Sequence, residues 1–361
     1  MRKSIYRAAL TAGLISGLLT GCTVVGPSAV HSGRLAYNEA IIETDNQQML
    51  LVVVRNRYGE RSNLLAVSSV TANVRVAANA GIEAGVGDSD NYSGNLVPFS
   101  AGVVYEENPT ISYTPVGGEQ YARQMMSPVS VSSLAQLADN LADPAPVYYA
   151  LVSEINGIYN PDFLTPASTP DTRFVRVVTI MTELGQAHRL YWAQDSGHKD
   201  RFSIVIDHYS PDHADEVHEL LTLLGIPKSE NGSSRITLPT SMARDVQDNG
   251  GISITTRSVF DLLEILSGAV EIPEQDLVSG VAISFPPGGL VGKQLHVHHS
   301  ETEPEHASVA VKYRNGWFYI DERDQATKQF FRLLTTLLSV NIADSTSRAS
   351  ATPVLTVPVS R

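Results

Sequence analysis

A chain of 361 residues with 38 acidic against 26 basic side chains has a net charge of −12, and 43% of it is hydrophobic. The acidic balance argues against a nucleic-acid partner and against a polybasic contact with lipid head groups, while the length and apolar share suffice for one large or two ordinary domains. Its single cysteine, Cys22, excludes an internal disulfide, so packing alone must hold the fold.

The N-terminus has the order of a secretory leader. Arg2, Lys3 and Arg7 precede the uncharged stretch Ala8 to Leu19, and small Gly21 stands before Cys22. The apolar part is shorter than the about twenty residues a spanning helix needs, so it reads as a removable signal over residues 1–21. Leu19-Thr20-Gly21-Cys22 resembles the lipobox of bacterial lipoproteins. That resemblance implies acylation of the Cys22 sulfur, cleavage before it and a membrane anchor made of several acyl chains, which hold firmly where one chain holds marginally. In Gram-negative lipoproteins an Asp after the cysteine favours the inner membrane; here the residue is Thr23, so the resemblance implies the outer membrane, with the body facing the periplasm. Loss of the leader's three basic residues makes the mature chain more acidic still. Residues 22–33, with Gly26 and Pro27, read as a tether.

The fold is expected from Arg34, in an N-terminal part over 34–165. Leu35 to Arg57 reads as helix, in two pieces if Asp45 caps the second, with Met49, Leu50, Val53 and Val54 as its buried stripe and Gly59 as its stop. From Val70 to Val86 every even position is Val, Ala or Ile, a strict two-residue alternation that predicts one long strand. Gly87 to Asp90 predicts a turn, and alternation resumes from Val97 to Tyr105, giving a long β-ribbon. Thr110 to Val116 predicts a strand; Gly118 to Met126 and Ser132 to Asp139 predict short helices, the second capped by Ser132. Tyr148 to Ile158 is apolar with no period that separates strand from helix. Pro161 to Pro170 reads as a loop and a domain boundary.

A C-terminal part over 171–361 follows. Asp171 to Ala187 is an amphipathic helix with Phe174, Val177, Val178, Met181 and Leu184 on one face. Phe202 to Ile206 and Ile252 to Thr255 predict strands. Ser210-Pro211-Asp212 opens a helix with Val217, Leu220, Leu221 and Leu224, stopped by Gly225. Ser258 and Asp261 form a capping-box pattern before Leu262, Leu263 and Leu266. Asn315-Gly316 predicts a two-residue hairpin pairing Arg314 with Trp317 and Val311 with Ile320. Asp321 is the expected cap of a helix bearing Phe330, Leu334 and Leu337, and Val354 to Val357 the last strand. The whole predicts an α+β fold: a mixed or antiparallel sheet with flanking helices and a long β-ribbon.

Three segments carry a second resemblance: Arg34 to Glu60, Asn108 to Val129 with Ile111-Ser112-Tyr113-Thr114-Pro115, and Val311 to Leu334 with Trp317-Phe318-Tyr319-Ile320-Asp321. Together they resemble a family of Gram-negative outer-membrane lipoproteins of unassigned role. The resemblance implies a location and a domain type, with no activity and no functional residues.

Searching for chemistry, the densest ligand-type run is His296, His298 and His299 followed by Glu301, Glu303, Glu305 and His306. His296 and His298 would share one face of a strand, with a carboxylate or His306 as a third ligand, but the run lacks the spacing of a metal site and reads as an exposed polar loop. His208, His213 and His218 are not on one helical face. No nucleophile elbow or phosphate loop is present; Gly288-Gly289 with Gly292-Lys293 has the wrong spacing. The acids from Asp212 to Glu219 read as a solvated helix face. Arg314, Trp317 and Tyr319 form a possible interaction surface, a cation beside aromatic rings. No cofactor and no catalytic residue is assigned. The expectation is a non-enzymatic envelope protein acting through a protein partner or self-association. Two alternatives stand beside it: an oligomeric pore built on the 70–105 ribbon, and a periplasmic hydrolase whose site is assembled from distant residues.

Overall fold

The computed structural model describes residues 25–62, 64–71, 74–82, 99–107, 110–116, 119–160, 172–195, 197, 201–207, 211–227, 235–242, 250–285, 291–348 and 355–358. The leader, Cys22 and the loop expected at Pro161 to Pro170 lie outside them. Among the described residues the fold is α+β, with nine α-helices and four sheets, mixed and antiparallel. No described helix is long and apolar enough to cross a membrane. The chain divides into two compact units: residues 1–45, 65–115 and 351–361 form one, residues 46–64 and 116–350 the other.

The division falls within helix α1, Val25–Arg57, which is continuous. Asp45 therefore does not restart it, and the helix already occupies most of the stretch read as a tether. Arg55 and Arg57 in its last turn suit the negative end of the helix dipole, and Gly59, at φ 69°, takes the left-handed turn that ends it.

The first unit holds two sheets. Strands β1 (Leu64–Thr71), β4 (Thr110–Val116) and β14 (Leu355–Pro358) lie in the order β1-β4-β14, with β14 antiparallel to β4. Strands β2 (Val74–Ile82) and β3 (Phe99–Glu107) pair antiparallel from Val74 opposite Glu107 to Ile82 opposite Phe99. The ribbon forms, but the alternation from Val70 is shared between two strands of different sheets. A period of two records which face each residue occupies and says nothing of which partner a strand takes. The turn expected at Gly87 to Asp90 lies outside the described residues.

The second unit carries the large core. Helices α2 (Glu119–Met126), α3 (Val131–Asn140) and α4 (Ala145–Leu151) lead into β5 (Val152–Ile155) and β6 (Ile158–Tyr159). Then follow α5 (Thr172–Gln186), β7 (Leu190–Gln194), β8 (Phe202–Asp207), α6 (Ala214–Leu223), β9 (Arg235–Ser241), β10 (Ile252–Thr256), α7 (Val259–Gly268) and α8 (Glu274–Val278). The strands form a sheet in the order β6-β5-β10-β9-β8-β7, antiparallel throughout except for β9 with β10. It draws β5 and β6 from one side of the proline-rich loop and the rest from the other. Finally β11 (His298–Ser300), β12 (Ala307–Tyr313) and β13 (Gly316–Asp321) make a three-stranded sheet ordered β11-β13-β12, ahead of helix α9, Gln325–Arg348.

Each helical stripe legible in the sequence is buried: Met49, Leu50, Val53 and Val54; Phe174 with Val177, Val178, Met181 and Leu184; Val217 with Leu220, Leu221 and Leu224; Leu262, Leu263 and Leu266; Phe330, Leu334 and Leu337. Polar groups fix how they meet. Ser267, wholly buried on α7, donates to the Val53 carbonyl of α1 at 3.0 Å, and Asn56 donates to Glu264 and Ser267.

Three caps differ from expectation. Ser130, not Ser132, caps α3, its hydroxyl accepting the Ser133 amide. A 3-10 turn, Pro211–His213, precedes α6, so the helix opens at Ala214 with His213 at the cap position, its side chain making no bond to the helix backbone. Asp324 rather than Asp321 caps α9, one oxygen accepting the Thr327 amide and the other its hydroxyl, while Asp321 closes the preceding turn on the Arg323 amide. Ser258 and Asp261 form the full capping box on α7.

The ambiguous stretch after Pro146 is helix and then strand without a linker, and Arg257 explains the switch. Its guanidinium, 2% exposed, donates to the carbonyls of Tyr149, Ala150 and Asn160 at 2.8 Å each, and its amide donates to Leu151. The C-terminal carbonyls of α4 are thus satisfied by a cation, and the chain is free to extend at Val152.

Candidate functional site

The most specific surface arrangement is built on the three-stranded sheet. In β12 and β13 the pairs are Tyr313 with Gly316, Lys312 with Trp317, Val311 with Phe318, Ala310 with Tyr319 and Val309 with Ile320. The loop is Arg314-Asn315, one residue earlier than predicted. Moving the loop by one residue shifts each partner by two, so Val311, Lys312 and the residues from Trp317 to Ile320 keep their predicted faces, while Arg314 passes from the strand into the loop. Val309, Val311, Phe318 and Ile320 are buried. Lys312 is exposed and Trp317 and Tyr319 half-buried on the other face.

The third strand completes that face. His298 stands opposite Tyr319 and Ser300 opposite Trp317, with the His298 ring 5.4 Å from the Tyr319 ring. His296 stacks on His298 at 5.9 Å and 14° between planes. Glu271 holds the strand from its side, one carboxylate oxygen 2.9 Å from His298 Nδ1 and the other accepting the His299 amide at 3.2 Å. His299 turns the opposite way, its ring 5.1 Å from Phe318. His296 and His298 thus share a face as predicted. His306 is not with them: it lies 3.7 Å from Glu322. Among the described residues no group of three His, Cys, Asp or Glu side chains converges to hold a metal.

Arg314 departs from the expected surface. Because the loop sits one residue earlier, Arg314 occupies its left-handed position, φ 51°, and its guanidinium lies over Tyr58 at 4.4 Å and Tyr313 at 5.7 Å instead of beside Trp317. It also donates to Glu60 at 3.4 Å. The Tyr58 hydroxyl donates to Asp276 at 2.6 Å. Burial pushes the Tyr58 phenol above its ordinary value and the Asp276 carboxylate adds to this; the Tyr313 hydroxyl, then Arg314, holds Glu60 below the usual carboxylate range. This cluster fastens the hairpin to the end of α1.

The other groups singled out by residue type are dispersed. His213 pairs with Glu216 at 2.8 Å, His218 is exposed, and His208 lies outside the described residues, as do Gly288 and Gly289. Of the acids between Asp212 and Glu219, Glu219 takes both arms of Arg176, at 2.8 and 2.7 Å. Glu271 and Arg257 carry no sequence signature, because their partners, the His298 ring and the His299 amide for the one and backbone carbonyls for the other, lie distant in the chain. No known protein family, no curated protein and no solved structure matches the chain.

Proposed function

We propose that this is a lipid-anchored envelope protein, held at the outer membrane through Cys22, whose α+β body recognises a protein partner in the periplasm and catalyses nothing. The observation that carries the recognition half is the face formed by Lys312, Trp317, Tyr319, His296 and His298. Aromatic rings beside cationic or ionisable groups are enriched at binding hot spots, and this set stands on a sheet whose opposite face is buried. The anchor half rests on the leader and on Leu19-Thr20-Gly21-Cys22.

Two measurements test it. Labelled palmitate should enter the wild-type chain and not Cys22→Ser, and the label should fractionate with outer membranes; an unlabelled wild type ends the anchor reading. A photo-crosslinking amino acid at position 317 should trap one discrete partner in intact cells, and diffuse or absent adducts end the recognition reading.

A second reading, an oligomeric pore, is favoured by the β2–β3 ribbon, whose strands of nine residues each reach the lower bound of about nine to eleven for a membrane-spanning strand. Ladder formation on chemical crosslinking together with dye release from vesicles supports it, and a protein that stays a monomer beside intact vesicles rejects it.

A further inference from the structure

Apart from the aromatic face, whose residues do not line it, the second unit contains a cavity of about 850 Å³, open to solvent, between the 137–149 segment, α5 and the first turns of α9. Its floor is Val147, Leu295 and Phe330, all buried; Leu137 and Leu333 form half-buried walls that pack on the core. The volume lies within the range of about 300 to 1,000 Å³ typical of small-ligand sites, and an aliphatic lining of this extent is seldom left to water.

The polar groups at the rim are few and unequal. Asp143 is already engaged, one oxygen accepting the Ala145 amide at the start of α4. Arg332 is the only cation lining the cavity among the described residues; its carbonyl accepts from Thr335 and Thr336, while its exposed guanidinium pairs with no acid among the described residues. In so acidic a chain, an unpaired guanidinium at the mouth of an apolar cavity selects a ligand with an aliphatic body and an anionic end.

We infer that this cavity binds a single-chain amphiphile with an anionic head, its alkyl chain against Leu137, Val147 and Leu333 and its head group on Arg332. The site is separate from the partner face, and the inference borrows from the anchored reading only the nearness of lipid.

The test uses the full chain in native envelopes. Envelopes are incubated with palmitic acid carrying a diazirine, with the matching neutral alcohol and with a lysophosphatidylglycerol of the same chain, then irradiated and mapped by peptide mass spectrometry. Adducts are expected in the 137–149 and 326–336 segments, with the stronger of the two anionic probes identifying the natural head group. Arg332→Gln should lower labelling by the anionic probes about tenfold and leave the alcohol unchanged. Thr336→Trp, at an exposed rim position, should block all three. Adducts scattered over the chain, or labelling indifferent to both variants, overturn the inference. Crosslinking at position 317 is read in the same envelopes: partner capture that survives Arg332→Gln while cavity labelling falls separates the two sites, and loss of capture with cavity adducts intact defeats the recognition reading alone.

Discussion

Gly316 gives its side-chain space to His299. A Cβ at Gly316 would overlap the His299 ring and press the Ser300 carbonyl at 3.0 Å, and the ring is held in place by Phe318. Gly316 lies at the start of β13 with an ordinary backbone conformation, so its glycine serves the close approach of β11 and not the turn. Gly316→Ala should destabilise the chain by about 1 to 3 kcal/mol, the usual range for overpacking, and adding His299→Ala should restore part of the loss. Urea unfolding of the two variants checks it; additive losses would show that the ring is not the obstacle.

Arg257→Ala should be among the most damaging single substitutions. It would leave the carbonyls of Tyr149, Ala150 and Asn160 without their donor inside the protein, at a cost of about 3 kcal/mol or more. Arg257→Lys should recover little, because an ammonium has no planar fork to reach three acceptors. Thermal unfolding of both variants gives the comparison, and a lysine variant as stable as wild type would refute the cap role.

How much of this was legible in the sequence follows from the range of each interaction. The stripes on α1, α5, α6, α7 and α9 were readable because helical burial repeats every three to four residues within one segment. The capping box at Ser258 and Asp261 was readable for the same local reason. The hairpin is legible but one residue too late, since Asn315-Gly316 has the composition of a preferred turn while the competing requirement on Gly316 comes from His299, a strand away. For that reason the sequence pattern puts Arg314 on the face of Trp317 and Tyr319, whereas in the structure those two share a face with Lys312 and Arg314 lies over Tyr58. The end of α4 was unreadable because Arg257, which sets it, lies more than a hundred residues along the chain.

Alkaline pH should weaken the fold in a way that Tyr58 partly controls. Burial raises the phenols of Tyr58, Tyr148, Tyr149 and Tyr121 above their ordinary value. The folded chain therefore holds these protons more tightly than the unfolded chain. The stabilisation is complete below about pH 10, the unfolded tyrosine value, and is lost as pH rises from there through the folded values. Tyr58→Phe should cost about 1 to 2 kcal/mol at neutral pH by removing the bond to Asp276, and should give a shallower decline above pH 10. Equal slopes for the two proteins would show that Tyr58 does not contribute to the titration.

Glu271 offers a way to separate recognition from stability. Its carboxylate spans His298 and the His299 amide, yet it is half-exposed, and side-chain contacts at such a surface are worth about 1 kcal/mol or less. Glu271→Ala should therefore leave the unfolding midpoint nearly unchanged while freeing the His298 ring from its place beside Tyr319. If that face binds the partner, crosslinking through position 317 should fall severalfold in this variant, as it should in Tyr319→Ala, because a loosened hot spot must be ordered again on binding. Val278→Ala, at an exposed site on α8, should alter neither the midpoint nor the crosslink. Undiminished capture in Glu271→Ala and Tyr319→Ala would remove the sheet face from the recognition mechanism.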